Sequence, residues 1–118
     1  MTQIRIKRVY EKAEVGDGHR ILIDRLWPRG IKKEDLKYDR WEKDITPSPA
    51  LRSWFHKDKE TRWNDFADLY KQELNKSAVI ETFIEEIRKH PAVTLLYASK
   101  EPIRNHAIIL QEYLREFV

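Results

Sequence analysis

Apolar residues follow two spacings along this chain. Short runs with strand spacing occupy the first 45 residues and the stretch near residue 95, while stripes of helical spacing fill residues 49–88 and 103–117. Residues 3–9 alternate Ile4 and Ile6 with Arg5 and Lys7, which predicts a strand with one wet face near a sheet edge. Residues 15–19 hold Gly16, Asp17 and Gly18, a turn signal. The continuous apolar centre of 20–24 then predicts a central strand buried on both faces, which Pro28 and Gly30 stop. Residues 32–37 suit a short helix, and 39–45, ambiguous between strand and loop, are assigned as strand.

Ser48 followed by Pro49 reads as a helix start, with Leu51, Trp54 and Phe55 facing inward. From 60 to 75, Trp63, Phe66, Ala67, Tyr70 and Leu74 make one stripe, capped by Asp58. Ser77 is the expected cap of the next helix, whose stripe of Val79, Ile80, Phe83, Ile84 and Ile87 ends before Pro91. Residues 93–98 predict a second buried strand. The last helix is expected over 103–117, with Ala107, Leu110, Leu114 and Phe117 inward.

Buried strands separated by helices imply parallel crossovers. The expectation is one small three-layer α/β domain over residues 1–118, with a mostly parallel sheet of about four strands and helices on both faces. If the two buried strands run parallel, residues 24–29 and 99–106 emerge together at the carboxyl edge, where sites of such folds lie.

Composition narrows the function classes. The absence of Cys removes disulfides, thiolate nucleophiles and Cys-based metal sites together. No apolar run approaches the roughly 18 residues of a membrane span, and the first residues do not resemble a secretory leader, so a cytoplasmic location away from membranes is expected. The net charge is +3, but residues 1–40 hold eleven Lys/Arg against seven Asp/Glu, or +4, leaving −1 for the rest. That surplus suits steering of an anionic ligand toward the first third of the chain.

The chemistry at the expected strand ends is cationic and hydrogen-bonding. Arg25 and Arg29 offer planar forks for an oxyanion, Lys100 a point charge, and the start of the last helix unpaired amides. Each has a plainer role: Arg25 could pair with an acid, and Arg29 and Lys100 could simply face solvent. Asp24 could act as a base or orient Arg25, though a strand-end Asp more often accepts turn amides. Trp27 could stack on a ring, although core packing is favoured. His19, His56, His90 and His106 show no ligand-like spacing and have no Cys companions, so no metal site and no cofactor are expected. His106 beside Asn105 could serve as acid, base or donor, or merely lie near a cap. Ser99 and Tyr97 lack an adjacent base, and no Gly-rich phosphate loop is present.

Three readings follow. The first is a pocket for a small anionic, phosphate-type ligand bound by Arg25, Trp27, Arg29, Lys100 and Asn105, with catalysis by Asp24 and His106 left open. The second is nucleic-acid binding through Arg5, Lys7, Arg8, Arg25, Arg29, Lys32 and Lys33, with Trp27 stacking. The third is a protein-interaction or regulatory domain without its own activity.

The segments Gly16-Asp17-Gly18-His19-Arg20, Asp24-Arg25-Leu26-Trp27-Pro28-Arg29-Gly30, Leu51-Arg52-Ser53-Trp54-Phe55 and Thr94-Leu95-Leu96-Tyr97-Ala98-Ser99-Lys100, with Asn105, resemble the YeaO-like branch of the domain of unknown function 488 family. The resemblance spans nearly the whole chain. It implies a prokaryotic cytoplasmic α/β domain and supplies no reaction. It also implies a departure, because other branches carry a cysteine and an arginine at the positions of Asn105 and Ala107, flanking the histidine matched by His106. Losing that thiol favours binding over covalent catalysis.

Overall fold

A computed structural model describes all 118 residues. Four parallel strands, β1 (Gln3–Arg8), β2 (His19–Leu22), β3 (Arg40–Trp41) and β4 (Ala92–Tyr97), form one sheet in the order β1-β4-β2-β3. The edge position of β1 and the central position of β2 agree with their patterns. The alternating strand tolerates one wet face, whereas the strand with a continuous apolar run needs cover on both. In register, Ile4 lies beside Val93, and Leu95 lies between Ile6 and Ile21.

Four helices follow: α1 (Pro49–His56), α2 (Lys59–Lys76), α3 (Ile80–Arg88) and α4 (His106–Arg115). Ser48 Oγ accepts from the Leu51 amide and Asp58 Oδ1 from the Thr61 amide, so both expected caps hold. Two boundaries differ from the sequence reading. Ser77 Oγ accepts from Val79 N–H before α3 begins, and α4 starts only at His106 because Asn105 Oδ1 caps it through the Ile108 amide. Ile103 therefore lies outside the helix and is exposed, and Phe117, expected inward, lies beyond the end of α4 and is exposed as well.

The two faces of the sheet are covered differently. Side chains Ile4, Ile21, Ile23, Val93, Leu95 and Tyr97 on one face merge with the buried residues of all four helices into one core. The other face presents Leu22 and Leu96, covered by Val9, Leu36, Trp27, Ile31, Tyr38 and Trp41. Both faces are buried as expected, but the helices share one of them. The second cover is the irregular connection between β2 and β3, held by its Trp side chains. Trp27 Nε1 donates to Ile31 O at 2.6 Å and Trp41 Nε1 to Asp24 O at 2.6 Å. Residues 32–37 form a turn rather than a helix, since only Leu36 among them is buried. Residues 39–45 give only the two-residue β3 and then a 3₁₀ turn at Lys43–Ile45.

The Gly16 to Arg20 segment packs on the non-helical face. Gly18 has φ 65°, and a Cβ there would lie 2.2 Å from Ala92 O, so only glycine fits. This close approach seats Asp17, 2% exposed, between Lys7 and Arg20. No helix is long and apolar enough to cross a membrane.

Candidate functional site

Because β2 and β4 run parallel, Asp24 to Arg29 and Ala98 to His106 leave the sheet at the same edge. Between them and α1 lies a cleft of about 430 Å³, the chamber expected at the carboxyl ends of parallel strands. Phe55 and Phe66, stacked at 4.0 Å between ring centroids, form part of its wall. Its floor is a pair of titratable groups from the two strand ends. Asp24 Oδ2 accepts from Ala98 N–H at 2.9 Å, its Oδ1 lies 3.4 Å from His106 Nε2, and that same ring nitrogen is 2.6 Å from Ile23 O. A carbonyl can only accept, so Nε2 carries the proton and Nδ1 is the ring's free acceptor in the neutral form. Burial lowers the pKa of His106, against the opposing pull of Asp24 and the Ile23 carbonyl. Burial likewise raises that of Asp24, against His106, the Ala98 amide and Arg52.

Around this floor the lining carries six formal cations, Arg25, Arg29, Arg52, Lys59, Lys100 and Arg104, against the single carboxylate of Asp24. None of the six makes a salt bridge. Arg25 makes one long hydrogen bond, from a terminal nitrogen to Pro47 O at 3.4 Å, and its Nε is buried with no partner. Guanidinium donors are seldom left unmatched in buried positions, because each lost hydrogen bond to water must be replaced. His56, also in the lining, has its pKa lowered by burial first and then by the charges of Lys59 and Arg52. The cleft is therefore a concentrated positive field over an uncharged imidazole, a setting for an anion.

The residues expected from sequence divide here. Asp24, Arg25, Trp27, Arg29, Lys100, Asn105 and His106 all line the cleft. Trp27 is tied into the second core, edge-on to Tyr38 at 5.6 Å and Trp41 at 5.4 Å. Asn105 is buried with both ends of its amide engaged, Oδ1 capping α4 and Nδ2 donating to Glu101 O at 2.7 Å. It shapes the loop over the cleft. Ser99 Oγ accepts from the Glu101 amide at 3.2 Å and has no base beside it. Sequence reasoning missed Arg52, Lys59 and Arg104. Arg52 lies in the Leu51 to Phe55 segment, but its spacing on α1 announced only an apolar stripe, and nothing local placed that helix beside the strand ends.

The basic residues of the first third are not gathered into one free surface. Lys7 Nζ is held by Glu14 at 2.8 Å and Asp17 at 2.9 Å, Arg5 donates to Gly16 O, and Arg8 donates to Ser99 O and Ala98 O.

Residues 3–118 match the family described as the inactive DUF488-N3 subclade. The chain is 46% identical over 112 residues to the uncharacterized protein YeaO of Escherichia coli (strain K12), covering 95% of this chain and 96% of that protein. It is 39% identical over 113 residues to the uncharacterized proteins Mb3100c of Mycobacterium bovis and Rv3073c of Mycobacterium tuberculosis, covering 96% of this chain and 94% of each. No solved structure matches it.

Proposed function

The chain belongs to the inactive DUF488-N3 subclade of the DUF488 family, and from that premise we propose that it binds a small anionic ligand of phosphate type at the carboxyl edge of its sheet without transforming it. The observation that carries this reading is the set of six unpaired cations around a single carboxylate, with the Nε of Arg25 buried and unmatched. A phosphate group accepts several charge-assisted hydrogen bonds at once and would satisfy the Arg25 and Arg52 forks together. A cleft of about 430 Å³ exceeds what inorganic phosphate fills, and its Phe55 and Phe66 wall favours a ligand whose anionic group is attached to a ring.

Binding is favoured over catalysis by what surrounds the Asp24 and His106 pair. The pair resembles a base with its orienting acid, but the nitrogen of His106 nearest Asp24 is also held by Ile23 O, and no hydrogen bond ties the free Nδ1 to a hydroxyl nucleophile. The word "inactive" in the description of the subclade agrees with this.

The test is thermal unfolding of the wild type and Arg25→Ala with phosphate, nucleotides, sugar phosphates and short oligonucleotides. Ring-bearing phosphates are expected to raise the midpoint of the wild type and to leave Arg25→Ala unmoved. A panel without any shift would sink the proposal. A shift given by oligonucleotides alone, falling steeply with salt, would replace it with nucleic-acid binding.

A further inference from the structure

The opposite, amino-terminal edge of the sheet carries a second cluster that the ligand cleft does not use. His19 is the first residue of β2, and His90 lies between α3 and β4, one helical turn beyond Glu86. Their rings stand 3.9 Å apart with 7° between planes. His90 Nε2 lies 3.8 Å from Glu86 Oε1, and one ligand atom from each of the three residues falls within 4.8 Å of the others. The Nε2 atoms of both histidines are buried and have no hydrogen-bond partner. Two unmatched imidazole nitrogens beside a carboxylate are the donor set of a transition-metal site rather than of a packed core.

We propose that His19, Glu86 and His90 bind one divalent transition-metal ion of the zinc type at the amino-terminal edge of the sheet. Two nitrogens and one oxygen suit Zn²⁺, Co²⁺ or Ni²⁺ better than Mg²⁺ or Ca²⁺, which prefer oxygen alone. Three protein ligands leave a coordination position for water or a further donor.

The surroundings are built for it. Asp39 Oδ2 sits 3.7 Å from His19 Nδ1 and is itself fixed by the Arg20 amide at 2.8 Å. A carboxylate on that side of the ring, though beyond hydrogen-bond distance, favours the proton on Nδ1 by its charge and leaves Nε2 as the nitrogen for a metal. The backbone of His90 is anchored by Thr2 Oγ1, which donates to His90 O at 2.8 Å, and by its own amide, which donates to Ile87 O at 3.1 Å. Lys89 Nζ approaches Glu86 Oε2 at 3.4 Å, which leaves Oε1 facing the histidines. Tetrahedral zinc bonds near 2.0–2.1 Å put neighbouring donor atoms about 3.3 Å apart, so the separation between Glu86 and His90 needs only a small side-chain rotation. A metal lies in the plane of each imidazole that binds it, so loading also splays the two rings from their parallel stack.

The experiment is titration of chelator-stripped protein with Co²⁺, followed by visible absorption, and with Zn²⁺, followed by calorimetry and thermal unfolding. The wild type is expected to bind one ion per chain, to develop Co²⁺ ligand-field bands, and to gain several degrees in midpoint with Zn²⁺ in excess. His19→Ala and His90→Ala should each weaken binding at least a hundredfold, and Asp39→Asn by ten- to a hundredfold. Should a histidine variant fail to fold, Glu86→Gln, which keeps the size and shape of the side chain, carries the same expectation of weakened binding. Absence of bands and of a midpoint shift in the wild type, or equal binding by wild type and Glu86→Gln, would overturn the proposal and leave the two rings as a packing contact.

Discussion

Asp17 is buried and Arg25 partly buried, with its Nε out of water, beside the same β-sheet, yet they end in opposite states. Around Asp17 every charge is answered: Lys7 Nζ lies at 2.9 Å, the Glu14 amide donates at 3.0 Å, Arg20 pairs with it, and Arg20 Nε donates onward to Lys37 O at 2.6 Å. Burial alone would push the Asp17 carboxyl up, but the Glu14 amide, Lys7 and Arg20 together hold it below the usual range. Around Arg25 only one long hydrogen bond, to Pro47 O, answers. Its Nε is unmatched, and Arg52, Lys59 and Arg104 in the same cleft add like charge against the single carboxylate of Asp24. A buried charge whose partners are all internal contributes to the fold, whereas one left unmatched marks a surface shaped for something from outside.

The contrast can be broken most strongly at its structural side. Asp17→Ala removes the shared acid and strands Arg20, which is only 6% exposed, so a loss of about 4 kcal/mol is expected in urea unfolding. Equal stability of the variant would mean that the network is incidental. Next in size is Gly18→Ala, where a disfavoured backbone conformation adds to a contact at 2.2 Å with Ala92 O, for about 3 kcal/mol by the same measurement. Both variants that still fold should keep their response to the cleft ligand.

Arg25→Ala should behave in the reverse way. Its stability without ligand is expected within about 0.5 kcal/mol of wild type, because only one long hydrogen bond, to Pro47 O, is lost. The stabilisation by ligand, about 2.7 kcal/mol at a hundredfold excess over the dissociation constant, should disappear. A large loss of stability without ligand would show that Arg25 belongs with Asp17 after all.

The smallest effect is in pH. The folded pKa of His106 lies below its ordinary value of 6.5, so its contribution is present above that pH and is lost as acidification proceeds through the lower folded value. Asp17, also lowered, contributes above 3.8 and is lost only at still lower pH. The raised Asp24 works against the histidine, since protonation relieves its burial. Chemical unfolding at a series of pH values should therefore show a first decline below 6.5, blunted in His106→Gln, and a second below 3.8 that the substitution leaves unchanged.

Periodicity carried the local part of this protein. The alternation of Ile4 and Ile6 marked an edge strand, the apolar run of 20–24 a central one, and the Phe66, Tyr70 and Leu74 stripe a helix. These readings succeed because one buried face repeats every two or every 3.6 residues, whatever it packs against. Asp24, Arg25 and His106 were legible as candidates because they follow apolar strands, and parallel pairing of β2 and β4 brought them to one edge. Whether Arg25 would pair with an acid or keep an unmatched nitrogen was not legible, nor were Arg52 and Lys59 in the same cleft, nor the stack of His19 on His90. Each depends on which elements become neighbours across the chain, and loop closure and core packing decide that through the whole set of contacts rather than through any local spacing. Sequence thus determined which segments form strands and helices and which faces they bury. Tertiary structure alone decided which charges find partners, because pairing is a matter of distance in space.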